Sequence, residues 1–238
     1  MSVLQYLRRK LHNFTHPVQG RILMLHRVVE QRSDEPEQRE LEVTPRFLEQ
    51  TIETYRHEGY IFVSIDEACN IIKGGKRLKH PFICLTFDDG YRDNYTTALP
   101  ILKRLDIPFA IYISTDFIDN KQPMWWYPDQ QLGLSLEELR TLDREPLCTI
   151  GAHTLSHPRL DTLTVIEQQK EIVESKVILE QWLGHPIQHF SYPHGAYNDD
   201  TLSIVKSASF RSALCAWGGT VRRGYNPHLL NRIELRQQ

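Results

Sequence analysis

The chain has 238 residues, 40% of them hydrophobic and 24% charged, an ordinary composition for one large folded domain or two small ones. Its 28 Lys and Arg against 30 Asp and Glu leave a net charge of −2, which excludes a general electrostatic pull toward nucleic acid or an anionic membrane. No apolar run is long enough to span a bilayer, and the cysteines (Cys69, Cys84, Cys148, Cys215) form no CxxC pair, which points to buried thiols.

In residues 1–19, Val3, Leu4, Leu7 and Leu11 beside the basic cluster Arg8-Arg9-Lys10 suggest an amphipathic segment. No signal-peptide core or cleavage site accompanies it, so the expectation is a cytoplasmic protein whose membrane contact is at most weak and peripheral. "RILMLH" (21–26) predicts a first strand. Thr44, Pro45 and Gly59 bracket a helix whose apolar face is Phe47, Leu48, Ile52 and Tyr55. "YIFVS" (60–64) predicts a strand, and Ser64 with Glu67 a capping box over a helix ending at Gly74-Gly75.

"PFICLTF" (81–87) is the next strand, and 94–105 is helical in pattern, with Pro100 predicting a kink or a late start. Strands follow at 107–114 and 147–153, with a helix from Ser135 to about Leu142 between them. The longest helix is expected from Thr164 to Leu183, stopped by Gly184. Further strands are expected at 188–193, 210–216 and 231–235, with a helix near 199–207. This alternation predicts an α/β fold with a parallel sheet, and about eight strands suit a distorted (β/α) barrel in a single domain over 20–238. A doubly wound open sheet is the alternative, but no Gly-rich phosphate loop follows the first strand.

Three segments carry chemistry. Asp88 and Asp89 follow a strand, where barrel side chains meet substrates. Two adjacent ionised carboxylates repel and need a positive partner, which a divalent cation supplies; alone, the same residues also serve as a helix cap and tight turn. His153 and His157 follow another strand, four residues apart, a spacing at which two imidazoles reach one ion. With Asp89 they make a three-ligand metal set with positions left for water and substrate. In "YPHGAYND" (192–199), Tyr192 and Pro193 shape a turn in which the backbone N–H of His194 reaches a developing oxyanion, although Pro-Gly turns are common.

Together, "TFDDG" (86–90), "HTLSHP" (153–158) and "FSYPHG" (190–195) resemble the polysaccharide deacetylase family of NodB-type carbohydrate esterases, over roughly residues 20–236. The resemblance implies a distorted (β/α) barrel and metal-dependent hydrolysis of an N-acetyl group on an acetylated amino sugar. It implies Asp88 as general base, Asp89, His153 and His157 as metal ligands, and the His194 N–H as oxyanion donor. Zinc is the first expectation for the ion, with cobalt, nickel or iron as alternatives.

The chain departs from the family pattern where Ser191 and Tyr192 replace an arginine and a proline, and where His228 is the only late histidine. Trp217 is the only candidate for the family's Asp-Trp motif. Some relatives are circularly permuted, with the last strand moved to the N-terminus, and 22–28 resembles that strand. His26 is then the expected general acid, and Arg232 the expected partner orienting Asp88. Trp125 and Trp126, with Tyr192 and Pro193, are the expected sugar-binding residues; loop aromatics also serve simply as plugs. O-acetyl ester hydrolysis, another amide bond, or an inactive sugar-binding module are the alternative functions. Nothing in the pattern speaks to oligomeric state.

Overall fold

The computed structural model describes residues 20–75 and 80–238. The expected amphipathic segment, 1–19, lies outside them. Ten strands are described: β1 (Gly20–Leu25), β2 (Arg27–Val28), β3 (Glu42–Val43), β4 (Ile61–Phe62), β5 (Phe82–Phe87), β6 (Phe109–Ile113), β7 (Cys148–Ala152), β8 (His189–Ser191), β9 (Ser212–Leu214) and β10 (Ile233–Glu234). Eight form one parallel sheet in the order β10-β1-β5-β6-β7-β8-β9, with β4 also paired to β5. The sheet curls back on itself. Leu230 bridges Leu214 beyond β9, and the same segment then runs into β10 beside β1. The single α/β domain is therefore the expected distorted barrel.

Side-chain alternation divides the core. From β5, Phe82 and Cys84 join Ile22, Ala110, Tyr112 and Leu214 in an inner cluster, which also takes Ile65, Ala68, Cys69 and Ile72 from the helix Ile65–Ile72. Ile83, Leu85 and Phe87 point the other way, into the outer cluster beneath the surrounding helices. Both faces are covered, so β5 and β6 are buried at every residue and read as continuous apolar runs. Each large apolar side chain so buried contributes roughly 1.5–3 kcal/mol. The inward phase of β5 continues through Thr86 to Asp88, whose N–H still bonds the Leu25 carbonyl at 3.0 Å.

Helix starts follow their caps. Thr44 accepts from the Phe47 N–H, and reciprocal capping boxes stand at Ser64/Glu67, Ser135/Glu138 and Thr164/Glu167. Several expected strands are shorter than their apolar runs: only two residues of 60–64 and three of 210–216 pair. The α-helical stretch around Pro100 starts late. A π-turn over Asn94–Ala98 comes first, and Pro100 falls in the first turn of Leu99–Arg104, where no N–H is needed. The helix from Val165 to Leu183 is likewise interrupted by a π-turn, Lys170–Glu174, and ends at Gly184 with φ 79°.

Candidate active site and metal centre

The chemistry-bearing residues gather where the barrel strands end. His26 follows β1, Asp88 and Asp89 follow β5, His153 follows β7 and Tyr192 follows β8. They line a cavity of about 380 Å³ together with His157 and Arg232.

Asp88 is 3% exposed and Arg232 1% exposed. The Arg232 guanidinium donates from Nη1 to Oδ1 at 2.8 Å and from Nη2 to Oδ2 at 2.7 Å. Its Nε donates to the Cys215 carbonyl, and its Nη2 also reaches Ser191 Oγ at 2.8 Å. The Ser191 hydroxyl in turn donates to Asp88 Oδ2 at 3.2 Å. Burial by itself would raise the Asp88 carboxyl, but the Arg232 guanidinium overrides it and holds the group below the usual carboxylate range. Ser191, a departure from the family pattern, therefore stands beside an arginine delivered from a later segment of the chain, next to β10.

Asp89 bends away from the strand with φ 74°. Its Oδ1 lies 3.5 Å from His153 Nε2 and 3.3 Å from His157 Nε2, and this buried oxygen has no hydrogen-bond donor. The His153 Nδ1–H donates to the Ser191 carbonyl at 2.8 Å, which fixes the tautomer and leaves Nε2 facing Asp89. Burial opposes charge on His153, but Asp88 and Asp89 outweigh it and raise its pKa. His157 goes the other way: burial pushes it down to about 3 against the pull of Asp89.

Asp89, His153 and His157 form the group of potential metal-ligating side chains found among the described residues. Ligands at about 2.1 Å from a tetrahedral ion stand about 3.4 Å apart, close to the observed donor separations. An orphaned carboxylate oxygen and two imidazole nitrogens at that spacing fit a divalent cation.

His26 is half-buried on the cavity wall, and the β1–β5 register places it alongside Asp88. Its carbonyl accepts from Asn94 Nδ2 at 2.8 Å. The next residue, Arg27, turns away into a cluster that sequence reading missed. It pairs with Asp93 at 2.8 Å and Glu42 at 2.9 Å, with its guanidinium over the rings of Tyr91 and Tyr127. Tyr127 donates to Glu42 as well, so the cluster ties the aromatic loop to the short β2–β3 pair.

The aromatic residues separate by exposure. Trp125 is 63% exposed on the cavity wall, whereas Trp126 is half-buried, donates from its indole to Tyr91 Oη at 2.5 Å and packs 4.8 Å from the His157 ring. His194, with φ 56°, packs its ring at a tilt 4.5 Å from that of His157, and burial lowers its ring pKa. Tyr192 lines the cavity while its hydroxyl bonds the His228 carbonyl. Pro193 is buried in the turn Pro193–Gly195, where it shapes the backbone. His228 is spent on the Phe210 carbonyl at 2.9 Å. Trp217, 64% exposed, lines the cavity, and the Arg236 pairs with Glu40 and Glu234 sit on the same wall without any advance signal in the sequence.

The family model for polysaccharide deacetylase matches residues 75–213. The Bacillus subtilis (strain 168) protein YxkH is 26% identical over 92% of this chain and 72% of its own length. The poly-beta-1,6-N-acetyl-D-glucosamine N-deacetylase of Escherichia coli (strain K12) is 29% identical over 54% of this chain and 20% of its own length. Among solved structures, Streptococcus pyogenes deacetylase PplD superposes with a TM-score of 0.80 at 26% identity, covering 92% of this chain and 93% of that one. IcaB from Ammonifex degensii shares the fold with a TM-score of 0.80 at 23% identity, covering 92% of each chain.

Proposed function

The chain belongs to the polysaccharide deacetylase family, and from that premise we propose that it is a metal-dependent hydrolase that removes N-acetyl groups from N-acetylhexosamine-containing glycans. The observation that carries this reading is the placement of an ionised, arginine-held Asp88 beside the Asp89–His153–His157 donor set.

Asp89, His153 and His157 would hold a divalent ion, which would supply Lewis acidity toward the acetyl carbonyl and the water at the site. Asp88 accepts a proton from the attacking water, whose oxygen bonds to the carbonyl carbon. The His194 N–H stabilises the resulting oxyanion. His26 gives a proton to the departing amine as the C–N bond breaks, and acetate is released. Arg232 and Ser191 fix the plane of the Asp88 carboxylate throughout.

Zinc suits two imidazoles and one carboxylate; cobalt, nickel and iron suit them too. An inactive sugar-binding module would gain nothing from a desolvated carboxylate–guanidinium pair, which costs several kcal/mol per ion to bury. The E. coli relative's substrate supports a β-1,6-linked N-acetylglucosamine oligomer as the first to assay. Acetate release from that oligomer is expected once chelator-treated protein is reloaded with one of these metals. No acetate with any of the metals, from this or other acetylated amino sugars, would overturn the assignment.

A further inference from the structure

Between His153 and His157 the chain takes a costly path. Thr154 has φ 68° and His157 φ 62°, left-handed conformations that non-glycine residues avoid. Within the loop, the Thr154 hydroxyl bonds the His153 carbonyl and accepts the His157 N–H. Two further amides, those of Leu155 and Ser156, must also find acceptors. Both donate to a single oxygen, Oε2 of Glu171, at 2.9 and 3.0 Å. The Ser156 hydroxyl takes the other carboxylate oxygen at 2.8 Å.

Glu171 comes from the neighbouring helix, and it lies inside the π-turn Lys170–Glu174. One residue added to a turn rotates the two halves of a helix by about 100° relative to each other. Ile172 and Leu179 remain fully buried on the core side while Glu171 meets the loop.

We propose that Glu171 is a positioning residue for the metal centre: resting on the reading of Asp89, His153 and His157 as a divalent-metal site, it holds the peptide between the two histidines so that both imidazoles converge on one ion. It touches neither imidazole. Its effect passes through the backbone it anchors.

The test is the zinc dissociation constant of metal-free full-length protein, by competition with a chromophoric chelator, and the visible spectrum of the cobalt form. Thermal unfolding of the metal-free protein is recorded alongside. Glu171→Ala is expected to bind zinc about 10–100-fold more weakly, the usual effect of removing a group that orients ligands, and to alter the cobalt spectrum. Glu171→Gln is expected to stay close to wild type, because its amide oxygen accepts both N–H groups and its NH₂ meets the Ser156 hydroxyl. A role confined to stability would lower the melting temperature and leave the affinity of the folded protein unchanged. Wild-type affinity in Glu171→Ala, or a Gln variant as weak as Ala, overturns the proposal. If Glu171→Ala does not fold, Glu171→Asp, one methylene too short to reach both amides, must show the weakening instead. Wild-type protein that takes up neither zinc nor cobalt removes the metal-site reading itself, and this assignment with it.

Discussion

Arg232 and Asp88 meet as a two-pronged pair, with nitrogen–oxygen separations of 2.8 and 2.7 Å and both side chains buried. The fork geometry fixes the carboxylate plane as well as its charge. A base that acts on water needs both: an ionised oxygen and a lone pair aimed into the cavity.

Arg232→Met leaves Asp88 buried without its cation, a loss of about 3–5 kcal/mol of stability. With the strongest counterweight to burial gone, the Asp88 pKa rises, so the acid limb of kcat/KM moves to higher pH. Denaturant unfolding and the pH–rate profile measure both effects. An unmoved acid limb would show that Arg232 does not govern Asp88.

His26→Ala should bind zinc and unfold as the wild type does, while kcat falls about 10²–10⁴-fold, the usual worth of a positioned general acid. Unchanged turnover would take His26 out of the mechanism.

Asp89→Asn and His153→Ala should lose zinc affinity and activity together, whereas Asp88→Asn should retain zinc and be nearly inert. Metal content after dialysis, set beside acetate release, separates ligand from base. Chelator treatment of the wild type should silence it, and added zinc should restore it.

Trp125→Ala changes an exposed side chain, so stability should stay within about 0.5 kcal/mol of wild type. KM for an N-acetylglucosamine oligomer should rise, because the ring stands on the cavity wall. Trp126→Ala should also lower the melting temperature, since that indole bonds Tyr91 and packs on His157. A KM unaffected by loss of Trp125 would mean that this face does not touch sugar.

Much of the fold was legible because its signals are local. Thr44, Ser64, Ser135 and Thr164 each cap a helix within three residues of themselves. The runs 82–87 and 109–113 announce strands buried on both faces. The site segments were legible for a similar reason, since each lies within ten residues after a strand. The Arg27–Asp93–Glu42 cluster was not, because its members meet only through tertiary packing, and β2 and β3 are two residues each. The π-turns leave no mark on hydrophobic periodicity, so Glu171 reads as an ordinary charge on a helix surface.

The seam where β1 and β10 lie side by side has a bearing on biosynthesis. The proposed proton donor, residue 26, is synthesised well before the guanidinium of Arg232 that tethers Asp88. A nascent polypeptide already displaying all three signature segments would thus be catalytically silent until the barrel is sealed. A deletion removing residues 229–238 should yield protein that still carries all three signature segments but no competent base.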